Sequence, residues 1–181
     1  CHDGAGHLDG VNLWGSQVKR SDAWRMAAFF SRARITRPAG ATWNIAEAAT
    51  GGYNLNTNSG NRPNRAPVTG VTSPVLPRYL FTNRQLAASD NFRVVLAQEI
   101  TKDLQFSRAT VNYIWAHFFT LGIVDPPDAF DLARLDPRNP PPSPWTIQPS
   151  NPELLDELAR EFVNNGYDLK DLMREITNSQ A

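Results

Sequence analysis

The sequence holds one cysteine, three histidines and two methionines in 181 residues. A single thiol excludes an internal disulfide framework. No apolar run approaches the roughly 18 residues that a helix needs to cross a bilayer. Charge of one sign is missing too: Lys+Arg and Asp+Glu both number 18, and no basic stripe stands out. That balance argues against nucleic acid as a partner and against an electrostatically held membrane surface. No repeat of roughly 20–50 residues is present, which sets aside solenoids and propellers. The chain opens on Cys1 and stops at Ala181 inside a helical pattern, so it reads as a fragment of a larger protein. The lack of a signal sequence is then uninformative about compartment.

Proline and asparagine are plentiful, and proline is confined almost wholly to residues 36–82 and 123–149. Between these stretches the apolar residues recur at helical spacing. Ser21 reads as the cap of a helix from about Asp22 to Arg34, with Met26, Phe29, Phe30 and Ala33 on one stripe. Ser89 reads as the cap of a second helix running to Leu104, turned inward on Phe92, Val95, Leu96 and Ile100. Ser150-Asn151-Pro152-Glu153 has the form of a capping box ahead of a strongly segregated helix that ends at Gly166. Asp168 caps a last helix carrying Leu169, Leu172, Met173 and Ile176. Residues 1–19 read as glycine-rich loop, and Val68–Val71 and Tyr79–Phe81 as short strand-prone pieces. The fold class expected is mainly α: a compact helical domain with long, ordered Pro/Gly-rich loops and at most a few short strands. The expected organisation is an N-terminal piece over 1–37, a meander or linker over 38–82, and a C-terminal helical domain over 83–181.

The centre of that domain is Ser107–Gly122, read as one helix. Its apolar residues sweep more than a third of the circumference, so it should be packed on several sides. Val111, Ile114, Trp115 and Phe118 are expected to be buried against Leu155, Leu158 or Phe162. Arg108 and Asn112, four apart, share a face inside the apolar arc, where a polar group must find partners. They are expected to bond carbonyls or carboxylates of residues 123–149, with Asp125 and Asp128 the nearest acids for Arg108. His117 lies on the polar sector, as a half-exposed edge histidine.

Chemistry-bearing residues gather at the start. Cys1-His2 reads as the end of a C-x-x-C-H haem-attachment motif, with Cys1 as one thioether residue and His2 as the iron ligand. His7 or Met26 is the candidate second ligand. Cys1, His2, Asp3 and His7 are also all metal-ligand types on a glycine-rich loop, which leaves a metal-dependent hydrolase open. No nucleophile–base pair with a telling spacing occurs elsewhere.

The motifs Arg108-Ala109-Thr110-Val111-Asn112, Ile114-Trp115-Ala116-His117-Phe118-Phe119, Gly122-Ile123-Val124 and Asp128-Ala129-Phe130 stand in a fixed order. With Pro152-Glu153-Leu154-Leu155-Asp156, Glu161-Phe162 and Gly166-Tyr167-Asp168-Leu169-Lys170, they resemble the planctomycete-type proteins of domain of unknown function fifteen fifty-three. The resemblance covers roughly residues 75–181. Cys1-His2-Asp3 and Ala28-Phe29-Phe30 resemble the end of its usual companion, domain of unknown function fifteen forty-nine. Phe119-Thr120-Leu121-Gly122 replaces the family's more usual Phe-Gly-Arg-Gly, and Asn151 stands where a histidine is common. The resemblance implies an exported, extracytoplasmic bacterial protein associated with cytochrome c segments. Haem c-linked electron transfer with a redox partner is then one expectation. A non-enzymatic scaffold or interaction module, whose partners are other domains of the same large protein, is the other.

Overall fold

The computed structural model of the chain describes residues 6, 8–37, 39–40, 42–55 and 68–179. Among them are six α-helices, one short 3-10 helix and a single two-stranded sheet. The chain is helix-rich and divides by its contacts into two units, one formed by Val18–Glu99 and the other by the segment ending at Gln17 together with Ile100–Ala181.

In the first unit α2 spans Arg20–Ala28, α1 (Leu13–Gln17) belonging to the other unit. The helix expected over 22–34 stops early because Ala33–Thr36 forms β1 instead. This strand pairs antiparallel with β2 (Asn44–Glu47), Ile35 opposite Ile45. Lys19 rather than Ser21 is the N-cap of α2, with the Asp22 carboxylate taking the Lys19 amide at 3.2 Å. The sheet is anchored through Glu47, whose carboxylate accepts from the Phe92 and Arg93 amides at 2.6 and 2.9 Å. Those are among the unpaired donors at the start of α3 (Phe92–Lys102), where a negative charge also meets the positive end of the helix dipole. The helix begins three residues after Ser89, and Asn91 supplies a further cap to the Val94 amide. Phe29, Tyr79, Leu86, Phe92, Val95 and Leu96 form one core cluster, and Trp24, Ala28, Leu55 and Val75 a second. Val68–Val71 is a turn closed by the Val71 amide on the Val68 carbonyl, and only isolated bridges occur near Tyr79.

The second unit is built on α4 (Leu104–Phe119), α5 (Pro152–Asn164) and α6 (Leu169–Asn178). Helix α4 starts earlier than expected because Asp103, not Ser107, caps it; the Asp103 carboxylate accepts from the Gln105 amide at 2.9 Å. It ends before Gly122, with Thr120 in the left-handed region at φ 66°. Asn151 caps α5, taking the Leu154 amide on its side chain. Ser150 is engaged elsewhere, its amide and hydroxyl both donating to the Ile123 carbonyl. Val111, Ile123, Val124, Leu155, Ala159, Phe162, Leu172 and Ile176 form the buried core, with Ile114, Trp115 and Leu158 packed partly against it. Phe118 is exposed rather than buried. Burial fades along α4 after Trp115, and its last residues, His117–Phe119, face water. The start of the chain is not all loop: α1 sits on the 3-10 helix of Leu132–Arg134.

Candidate functional site

The polar face of α4 is where the site is built. Asn112 is fully buried, and its amide nitrogen donates to the carbonyls of Val124 at 2.8 Å and Pro127 at 3.2 Å. Its oxygen accepts from the Val124 amide at 2.9 Å. One side chain thus satisfies three backbone groups of a loop that turns sharply beside it. The turn requires Gly122: a Cβ there would lie 2.2 Å from the Val124 carbonyl oxygen and 3.0 Å from both amide atoms of Asn112.

One turn earlier, Arg108 reaches α5 instead of the loop. Its Nε and Nη2 meet the two carboxylate oxygens of Asp156 at 2.6 and 2.9 Å, a fork-on-fork pair. Arg160 Nη2 approaches the same carboxylate at 3.5 Å, one helical turn along α5. Asp125 and Asp128 are exposed and are not the partners of Arg108. Nearness in sequence pointed to them, whereas the packing of α4 on α5 brings Asp156 to the guanidinium.

This pair forms a wall of a cleft of about 520 Å³, lined by Arg108, Arg138, Arg160, Asp136, Glu153, Asp156, Glu157 and Glu161 with Leu135, Pro137 and Pro152. Its volume is that of a small-molecule site, though its lining is far more charged than is usual for one. Carboxylates outnumber guanidinium groups, five to three. Arg138 donates to Asp136 from its side chain and its backbone amide, at 3.1 and 2.9 Å, which holds the Asp136 carboxyl below its usual range. Such a lining favours a cationic or multiply hydrogen-bonding guest over an anion.

Across α5, a groove of about 390 Å³ has Leu154 and Leu158 at its floor and Glu157, Glu161 and Glu175 along it. Partial burial pushes the Glu175 carboxyl above its ordinary value, helped by the charges of Glu161 and Asp171. A raised native value means that Glu175 favours folding below its unfolded value and loses that contribution as pH rises through the native one. At neutral pH the ionised group is therefore a small liability, screened because the residue is exposed. Glu175→Gln is expected to raise the melting temperature slightly at pH 7, by less than about 0.5 kcal/mol in stability. Melting curves should converge as pH falls toward about 4, where the wild-type carboxyl is itself neutral. A gain that persists unchanged in acid would contradict this.

Sequence reasoning also missed Asp131. Its buried carboxylate accepts from the amides of Leu13, Trp14 and Ala133 at 2.7, 2.9 and 3.2 Å, joining α1 to the 3-10 helix. Only its position after Phe130 hinted at a cap, because two of its three partners, Leu13 and Trp14, lie more than a hundred residues away. Cys1, His2, Asp3 and His7 lie outside the described residues. Met26 is packed partly against the core cluster of the first unit that contains Phe29 and Phe92. His117 is exposed, edge-on to Phe118 at 5.6 Å between ring centres. Among the described residues no group of three His, Cys, Asp or Glu is arranged to hold a metal ion. Nor is any described helix long and apolar enough to cross a membrane.

No curated protein and no solved structure matches the chain. A family match does exist, and it begins at the first residue of α3 and takes in the Asn112 clamp, the Arg108–Asp156 pair and the whole of α5 and α6. Residues 92–181 match the model of the family described as PSD1, protein of unknown function (DUF1553).

Proposed function

We propose that the chain is a non-catalytic interaction module of an exported, extracytoplasmic bacterial protein, binding other domains of that same protein. The observation that carries this reading is the exposed end of α4. Phe118 and Leu121 are 39% and 62% exposed, and Phe119 is exposed with them. Clustered apolar side chains in water mark a contact surface. The polar residues of the same helix are meanwhile committed to holding it in place: Asn112 to the loop, Arg108 to α5. The helix thus presents a rigid apolar tip, and the proline-rich segments act as ordered spacers around it.

The test is hydrogen exchange of residues 113–122 in the 181-residue chain and in the whole exported protein. Slower exchange of this segment in the whole protein is expected, and Phe118→Ser with Leu121→Ser should restore the faster rate. Identical exchange in both contexts would end the reading.

The haem reading rests on a separate observation, the direct succession of Cys1 and His2. A bound haem c would supply electron transfer to a redox partner, with Cys1 holding the porphyrin and His2 the iron. An absorbance spectrum of the exported protein made with a working haem-ligation system tests it. A Soret band that survives acid–acetone extraction supports attachment, and a colourless protein refutes it.

A further inference from the structure

Neutrality of the whole chain hides a segregation of charge. Val18–Glu99 carries 11 of the 18 Lys and Arg residues and 4 of the 18 Asp and Glu, while Ile100–Ala181 carries 7 and 12. Each half also displays an open surface in keeping with its sign.

In the basic half this surface is the β1–β2 hairpin. Ile35 and Ile45 sit opposite one another, so both project from the same face. Trp43, two residues before Ile45, continues that face by strand alternation. Arg37 joins it, with its guanidinium carbon 5.5 Å from the centre of the Trp43 ring. Ile35, Trp43 and Ile45 are 68%, 64% and 60% exposed. A bare two-stranded hairpin gains almost nothing from apolar side chains left in water. Arg34 and Arg93 flank it, the first exposed and the second donating to the Ile45 carbonyl.

In the acidic half it is the groove between α5 and α6. Leu154 and Leu158 offer an apolar floor, with Glu157 and Glu161 from α5 and Glu175 from α6 around it. None of the three glutamates takes part in an ion pair among the described residues. A groove of this kind fits a guest that brings apolar side chains fringed with arginine.

We propose that the hairpin of one copy of this chain docks in the α5–α6 groove of a second copy. Isoleucine and tryptophan would cover Leu154 and Leu158, and Arg37 would meet the glutamates. A nucleic acid suits the hairpin less well, because phosphates would answer the arginines and leave Ile35 and Ile45 in water. The contact uses a different patch on each partner, so it is heterologous and propagates into rings or filaments. This deepens the interaction-module reading, on which it rests, by naming a partner for two surfaces other than the α4 tip.

Sedimentation velocity of the 181-residue chain tests it, over a range of concentrations at roughly 20 mM and roughly 0.5 M salt. At low salt the expected result is a concentration-dependent series of species larger than a dimer, shrinking toward monomer at high salt. Trp43→Ser with Ile45→Ser blocks the hairpin, and Glu157→Arg with Glu161→Arg blocks the groove. All four positions are outside the buried cores, and unchanged melting curves would confirm that the variants fold. Each blocked chain should associate at least roughly thirtyfold more weakly. Mixing the two blocked chains should give a 1:1 complex and nothing larger, since one intact hairpin and one intact groove remain. A monomer under every condition overturns the proposal. So does association that survives either blocked variant, or binding of duplex DNA by a chain that stays monomeric. Exchange at the α4 tip can slow in the whole protein whatever the outcome here, so the two readings fail separately.

Discussion

Asn112→Ala is expected to destabilise the second unit by about 4 kcal/mol, lowering its melting temperature by well over 10 °C. Three hydrogen bonds are lost, but the larger cost lies in what they leave behind. Val124 is fully buried, and its amide and carbonyl both depend on the Asn112 side chain. An orphaned buried backbone group costs about 1–3 kcal/mol, so two of them outweigh the net worth of the bonds themselves. Asn112→Asp separates the terms. It keeps the shape and the acceptor facing the Val124 amide, yet turns a carboxylate oxygen toward the carbonyls of Val124 and Pro127. That variant should be as unstable as Asn112→Ala at pH 7 and recover in acid, where protonation restores a donor. Gly122→Ala attacks the same clamp from the other side, since its Cβ would require the backbone at Val124 to move. Thermal melts of the three variants, each on pure chain, read the result. An Asn112→Ala loss below about 1 kcal/mol would mean that water or a rearranged loop replaces the side chain.

The contrast between Asn112 and Arg108 shows what could be read from sequence and what could not. Both share a helical face because they are four residues apart, and that follows from the period of the helix alone. Asn112 has a short side chain and can reach only what lies beside it, here the loop just after α4. Arg108 is long and charged, and its partner was set by which helix packs across α4. Asp156 stands 48 residues away, a relation that only the pairing of α4 with α5 creates. The same limit explains Phe118. Its place on the wheel was correct, but a wheel carries no information about where the covering helices end.

Helix boundaries failed where a non-local group competed with a local signal. Ala33 continues a helical stripe, yet residues 33–36 pair with 44–47, whose Glu47 is tied to the start of α3. Ser150 has the right chemistry for a cap, but its hydroxyl and amide are taken by Ile123, and Asn151 is the next residue able to serve. The segregated pattern of α5 and the stop at Gly166 were legible because each is entirely local. Gly166 takes φ 66°, the left-handed geometry that a helix end favours in glycine. The cleft was not legible, because it is lined from segments far apart in sequence, and the groove was not because it exists only where two consecutive helices pack together.

Asp131→Ala is expected to release α1 and to cost about 3 kcal/mol. Helix α1 has five residues, none of them buried, and a helix this short does not persist on its own. What holds it is the Asp131 carboxylate, which accepts from the Leu13 and Trp14 amides at its start. Asn12 adds a second tie through the Phe130 carbonyl, at 3.0 Å. With the carboxylate gone, the amides of Leu13 and Trp14 lose that acceptor, and a buried gap opens beside Ala133. The effect should be local before it is global. Hydrogen exchange should show the amides of Leu13 through Gln17 losing protection while those of Leu155 and Ala159 in α5 keep theirs. Asp131→Asn retains one acceptor oxygen and the packing, so it should fall between wild type and alanine in both stability and exchange. Full protection of Leu13 and Trp14 in Asp131→Ala would show that α1 is held by its side-chain contacts and not by the buried carboxylate.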